Sequence, residues 1–340
     1  MWRWRGLGAW HAVGAVAVLV AALGSTAPQA LSAVGAEKAT LTLNFLAGGP
    51  QAGFMYAKAL GYYRDAGIDL TIQEGQGSIT TAQIVASNRT DFGYADAPSA
   101  MAVRAKGGPI KIVAAILQTN AFAIVSLKKE NITKVGDLVG KTIAVQPGTA
   151  QTALLDAVFS ANHIAKDQVK IINVDPSALV GTLLQGKADA ILAGADFQSI
   201  QLRDRGVEIN ELFYRDIGVP TVGLSIVVNN ELIRRDPSLV ARFVEASLRG
   251  WDAARAHPDA AAQAVADQFP AAGTKDQFLK QLQVDVKFLC APGATALGAP
   301  PAAVWNRTVD LLVAYQHLPR LPISDFFTPQ FLPKARPKCG

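Results

Sequence analysis

Residues 47–51, 75–78, 95–99, 118–120, 147–151 and 193–199 form six short stretches rich in small, amide, hydroxyl and acidic residues. Such side chains hold a polar molecule by hydrogen bonds, and glycine lets a backbone approach it closely. The binding candidates in and beside them are Asn44, Gly48, Gln51, Phe54, Gln76, Gly77, Ser78, Asp96, Gln118, Asn120, Gly148, Thr149, Gln151, Asp175, Asp196, Phe197 and Thr221. Ser78, Thr149 and Asp175 read equally well as ordinary caps or turn residues. Asp175 does so above all, because Pro176 follows it. The candidates include three acids, Asp96, Asp175 and Asp196, and no Lys or Arg. A dianion or nitrate would depend on helix N-termini alone and would be repelled by inward-facing carboxylates. A neutral or amino-bearing molecule suits the set better. Phe54, Tyr94, Phe122 and Phe197 lie in or beside the same turns, and aromatic walls favour a flat heterocycle or an apolar skeleton. Core packing is the competing reading for Phe54 and Tyr94.

Residue sets for bond-making chemistry are absent from the sequence. There is no G-x-S-x-G, no H-E-x-x-H, and Gln146-Pro147-Gly148-Thr149 lacks the lysine of a phosphate loop. His163, His257 and His317 are far apart in sequence and read as structural. Cys290 and Cys339 have neither a metal-ligand spacing nor a nearby histidine, so neither a metal nor a cofactor is expected. In an oxidising compartment the two cysteines could pair or stay apart.

The elements that must position these turns alternate between β-type and helical runs. Strands are predicted over 41–46, 68–72, 91–94, 110–117, 142–145, 169–174 and 190–192, with helices over 54–64, 79–87, 97–106, 150–161 and 178–185. Strands separated by helices imply mostly parallel sheets with helices on both faces. Two continuous apolar runs, 122–127 and 222–228, read as strands crossing between two lobes. From Pro237 to about Phe288 the strand signal disappears and apolar residues fall at helical spacing; residues 303–316 add another helix. The proline-bearing tail reads as irregular and lying along a surface.

The N-terminus carries Arg3 and Arg5 beside an apolar run from Ala12 to Leu23, followed by small residues up to Val34-Gly35-Ala36. That is the layout of a secretory leader cleaved near Ala36, with an uncleaved anchor as the alternative. Removing residues 1–36 takes away Arg3 and Arg5 and no acid, so the formal charge of +5 falls by two, to +3. No basic stripe marks a nucleic-acid surface. The roughly 300 remaining residues suit two lobes rather than one core. The expected division is 37–124 for the first part of one lobe, 125–220 for the second, and 221–340 for completion of the first with its C-terminal helices and tail.

Five segments carry a resemblance, in order along the chain. Gly53-Phe54-Met55-Tyr56-Ala57-Lys58-Ala59-Leu60-Gly61-Tyr62-Tyr63-Arg64-Asp65-Ala66-Gly67-Ile68 resembles the opening helix of periplasmic binding proteins of the sulfonate, nitrate and thiamine-pyrimidine group. Gly75-Gln76-Gly77-Ser78 and Asp91-Phe92-Gly93-Tyr94-Ala95 resemble their next turn and strand. Lys141-Thr142-Ile143-Ala144-Val145-Gln146-Pro147-Gly148-Thr149 and Gly186-Lys187-Ala188-Asp189-Ala190 resemble the corresponding parts of their second lobe. The resemblance implies a type 2 periplasmic-binding-protein fold: two α/β lobes, each a mostly parallel sheet, joined by two hinge strands. It also implies a periplasmic, monomeric, non-catalytic binder that hands one small molecule to the membrane permease of an ABC importer. An aminopyrimidine-like thiamine precursor is the first expectation for that molecule, and an alkylsulfonate or taurine-like compound the second. Two other classes stay open: a pyrimidine-synthase-like enzyme on the same fold, whose cysteine-rich segment and histidine are not matched here, and a ligand-sensing receptor.

Overall fold

The computed structural model describes residues 36–339, and the expected leader lies outside the described residues. Four strands alternate with helices at the start: β1 (Glu37–Thr42), β2 (Ile68–Gln73), β3 (Phe92–Asp96) and β4 (Ile110–Ala115). Five more follow, β5 (Phe122–Leu127), β6 (Thr142–Val145), β7 (Lys170–Asn173), β8 (Ala190–Gly194) and β9 (Ile209–Phe213), and β10 (Leu224–Asn229) closes the series. They form two five-stranded sheets, ordered β2-β1-β3-β10-β4 and β7-β6-β8-β5-β9. β1 pairs in parallel with β2 and β3, and β6 with β7 and β8. β10 runs antiparallel between β3 and β4, Ile226 facing Tyr94 on one side and Ala114 on the other. β5 takes the same place between β8 and β9. The two sheets thus share one plan, and each receives its single reversed strand directly after the chain arrives from the other sheet.

That plan corrects the expected hinge strands. Residues 122–127 and 222–228 do not span the lobes: β5 belongs to the second sheet and β10 to the first. Their side chains are buried along their whole length because a central strand packs on both faces, which gives the same unbroken apolar run as a crossing strand would. The chain crosses instead in residues 116–121 and 214–223. These lie side by side, with the Ile116 and Leu117 N–H groups donating to the Leu224 carbonyl at 3.0 Å and the Gly223 N–H to Leu117 at 3.0 Å. A Cβ on Gly223 would fall 2.6 Å from the Thr119 carbonyl, so only glycine allows this approach.

The long helix Pro237–Ala256 starts on Asp236, whose carboxylate accepts from the Leu239 N–H at 2.7 Å, with proline at the first position. Leu239, Val240, Phe243, Val244, Leu248 and Trp251 form its buried stripe in the core of the first sheet. It meets the helix Ala52–Ala59 at Gly53 and Gly250, where an added Cβ would lie 2.3 Å from the Trp251 ring and 2.4 Å from the Gly53 carbonyl. Predicted helix 54–64 is two pieces, Ala52–Ala59 and Tyr62–Asp65, separated by Gly61 at φ +78°. The helix Ala302–Gln316 braces the crossing, since the Thr308 hydroxyl accepts from the Val222 N–H at 3.0 Å. The tail is irregular but not merely superficial. Phe326, Phe327 and Phe331 are buried, Phe327 stacks on Trp305, and Cys290 and Cys339 are joined in a disulfide.

Candidate functional site

The carboxyl ends of both sheets face one cavity, the place where helix starts present free N–H groups in open α/β sheets. The turn after β1 supplies Asn44, Phe45, Leu46, Pro50 and Gln51. The start of the helix Ser78–Ala86 supplies Gly77 and Ser78, and Asp96 comes from the junction of β3 with the helix Ala97–Ala105. The second sheet contributes Gln146, Thr149, Ala150 and Gln151 after β6, and Gly194, Asp196, Phe197 and Gln198 after β8. Leu117, Asn120, Ala121, Phe122 and Leu224 form the back wall, where the chain crosses. The empty volume is about 830 Å³, part of it open to solvent. No Lys or Arg is among the lining residues.

Two features govern what this cavity can hold. Phe45 from the first half and Phe197 from the second meet edge to face, ring centroids 5.6 Å apart, as an aromatic pair across the cleft. The polar wall is acidic. Asp96 is half-buried in the cavity wall, and burial raises its carboxyl to about 7 against the lowering hydrogen bond from the Ser78 hydroxyl at 2.9 Å. Burial also raises Asp196 to about 6, with a hydrogen bond to Asp285 working the other way. Behind them the Tyr94 hydroxyl is fully buried with no hydrogen-bond partner among the described residues, and its pKa is raised by burial and then by Asp285, Asp96 and Asp196. Gln51 donates to Asn44 Oδ1 at 2.8 Å, while its own Oε1 has no partner. A carboxyl raised by burial, beside an amide oxygen without a partner, can bind N–H and amino groups with little cost in unpaired charge.

Of the sequence candidates, the cavity gathers Asn44, Gln51, Gly77, Ser78, Asp96, Asn120, Thr149, Gln151, Asp196 and Phe197. Thr149 also serves as a cap, accepting from the Thr152 N–H at 3.2 Å. Seven candidates lie elsewhere, each for a physical reason. Gly48 and its neighbour Gly49 pack against the helix Lys275–Asp285, the Gly49 N–H donating to Gln281 Oε1 at 2.9 Å. Phe54 is a core ring between Tyr94 and Trp251, at 4.8 and 5.9 Å. Gln76 is exposed at its turn, and Gly148 is an exposed turn glycine at φ +76°. Gln118 spends both ends of its amide on the C-terminal segment, donating to the Ala296 carbonyl and accepting from the Ala291 N–H. Asp175 is exposed at the start of a short 3₁₀ turn. Thr221 is buried in the crossing, where its hydroxyl accepts from Asn120 Nδ2 at 2.7 Å. Phe45, Leu46 and Gln146 line the cavity unforeseen, and Gln198 joins them from within the stretch 193–199. The sequence pattern places Phe45 and Leu46 in strand 41–46, but β1 ends at Thr42 and leaves them in the turn.

The three described histidines, His163, His257 and His317, are not among the lining residues. No helix of the described residues is long and apolar enough to cross a membrane.

A profile of the family described as NMT1/THI5 like matches residues 50–261. The riboflavin-binding protein RibY of Chloroflexus aurantiacus is 27% identical over 323 residues, covering 91% of each chain. A 4-amino-5-hydroxymethyl-2-methylpyrimidine phosphate synthase of Legionella pneumophila is 24% identical over 220 residues, 63% of this chain and 68% of that one. Among solved structures, the periplasmic aliphatic sulphonate binding protein SsuA from Escherichia coli superposes with a TM-score of 0.67 at 15% identity, over 86% of this chain and 97% of that one. The shared architecture is the two-lobed α/β fold of periplasmic binding proteins.

Proposed function

The chain belongs to the NMT1/THI5-like family, and on that premise we propose that it is an extracytoplasmic solute-binding protein of an ABC importer. It captures one flat nitrogen heterocycle between its lobes and passes it, unchanged, to a membrane permease. The observation that carries this reading is the cavity itself: two α/β halves facing across a space walled by Phe45, Phe122 and Phe197, with Asp96 and Asp196 as its only charged side chains among the described residues. Planar rings fit between aromatic walls, and ring N–H or exocyclic amino groups give the carboxyls further donors. An aminopyrimidine and the larger isoalloxazine ring of riboflavin both have this chemistry. The named relatives support it: one is a riboflavin-binding protein and another makes an aminopyrimidine phosphate. A sulfonate ranks below them, because no cationic side chain lines the cavity and two carboxyls do.

Export is supported by the paired Cys290 and Cys339, since disulfides persist in oxidising compartments. The synthase reading is the second one, favoured by the Legionella relative's name. The non-catalytic reading stands on the lining, whose amides, hydroxyls, carboxyls and phenyl rings supply neither a histidine nor a thiol to the bound molecule. The test is a thermal-shift screen against riboflavin, 4-amino-5-hydroxymethyl-2-methylpyrimidine, taurine and nitrate. A ligand that binds the native state raises the melting temperature. Stabilisation by a heterocycle is the expected outcome; stabilisation by nitrate or taurine alone overturns the ligand assignment.

A further inference from the structure

Asp285 ends the helix Lys275–Asp285 and is fully buried. Neither of its carboxyl oxygens has a hydrogen-bond partner among the described residues, and no described Lys, Arg or His forms an ion pair with it. Asp196 stands beside it: the helix Lys275–Asp285 lies against the helix Gln198–Asp204 that directly follows Asp196, and the two carboxyls act on each other. The two come from opposite halves. The helix Lys275–Asp285 packs in the core of the first sheet through Phe278 and Leu282, while Asp196 follows β8 of the second. Two carboxylates in contact without a cation repel strongly in a low-dielectric interior, whereas a single shared proton turns the contact into an O–H···O bond.

We propose that Asp285 is a positioning residue for the ligand cavity: sharing one proton with Asp196, it aims that carboxyl into the cavity wall and latches the two halves together. The proposal rests on the reading of the protein as a two-lobed binder whose halves close. The groups facing the pair are known. Tyr94 and Asp96 approach from β3, and both act on or beside the same buried space. Gln281, one turn before Asp285, has no partner for its Nε2. Lys280 on the same helix is committed to Asp204 and Asp276, at 2.7 Å each. The Lys280–Asp204 pair is a second tie between the halves, but an exposed one that salt would screen. Burial raises Asp285 well above the ordinary carboxyl range, and the charge of Asp196 adds to this. A raised carboxyl holds its stabilising effect below the unfolded value of about 4 and loses it as pH climbs through the folded value. The latch is therefore shut at acid pH and released at alkaline pH.

The experiment uses the full ligand-free protein and reads its radius of gyration by X-ray scattering and its melting temperature from pH 5 to pH 9. The wild type is expected to expand and to lose melting temperature as pH rises. Asp285→Asn carries an amide that donates to the Asp196 carboxylate without a titrating proton. It is expected to stay compact at both ends of the range and to shrink the pH-dependent melting loss by about 3 °C, the scale of roughly 1 kcal/mol in a chain of this size. Asp285→Ala is expected to be expanded already at pH 5; if it fails to fold, Asp285→Asn alone decides. A wild-type radius that does not change with pH, or an Asp285→Asn profile identical to the wild type, overturns the proposal. No ligand enters this measurement, so a failed ligand screen and a failed latch remain distinguishable.

Discussion

Asn120 lines the cavity, yet its side chain is occupied by the crossing segments, so replacing it tests how the two halves are joined. Asn120 Nδ2 donates to the Thr221 hydroxyl at 2.7 Å, and Asn120 Oδ1 accepts from the Phe122 N–H at 3.1 Å. Both bonds are buried. Asn120→Ala loses the bond to Thr221, worth about 1 kcal/mol, and strands the Phe122 N–H at a cost of about 1–3 kcal/mol. The sum, about 2–4 kcal/mol, corresponds to a drop in melting temperature of roughly 4–16 °C at about 2–4 °C per kcal/mol. Urea denaturation followed by the fluorescence of Trp251 and Trp305, both buried, gives the free energy directly. The decisive version is a double-mutant cycle with Thr221→Val. Removing a direct bond from both sides gives a coupling of about 1 kcal/mol, whereas independent sites add to within about 0.5 kcal/mol. Strict additivity, or an Asn120→Ala protein as stable as the wild type, refutes the assignment of these bonds to the hinge.

Three further outcomes follow from the same coordinates. Phe197→Ala removes one side of the aromatic pair and should weaken a bound heterocycle by about 0.5–1.5 kcal/mol or more, measured by titration calorimetry with riboflavin or the aminopyrimidine. Asp96 has a folded value raised to about 7, so its contribution to stability is full below about pH 4 and is lost as pH rises through about 7; Asp96→Asn should flatten that part of the melting profile and leave it unchanged above pH 8. Reducing the Cys290–Cys339 bond, which closes a loop across 49 positions, should cost about 2–4 kcal/mol in urea denaturation, and an indifferent midpoint would show that the tail is held by Phe327 and Phe331 alone.

Much of the architecture was legible because strand and helix leave different periods, and glycine and proline mark the joints. The turns after β1, β3, β6 and β8 stood out as small and polar, and the ligand rule for open sheets places a site at those turns. Side-chain direction was not legible. Gly48, Gln118 and Thr221 have the same residue types as true lining residues but turn toward the C-terminal helices or the crossing segments, which are distant in sequence. The crossing itself was misread because apolar continuity reports burial on both faces and says nothing of which sheet a strand joins. Asp285 was missed for a different reason. The C-terminal third reads as generic helix, yet Phe278, Leu282 and Asp285 recur at helical spacing, so an acid on the buried stripe was visible and marked a special site.

The central claim is that two halves trap a heterocycle and release it unaltered. Native mass spectrometry of the full protein, incubated with riboflavin or with 4-amino-5-hydroxymethyl-2-methylpyrimidine and then denatured to recover the small molecule, tests it most directly. The account predicts a one-to-one complex with one of these compounds, lost on Asp196→Ala substitution, and a recovered molecule of unchanged mass. Recovery of a chemically altered product, or no complex with either compound while a sulfonate binds, contradicts it.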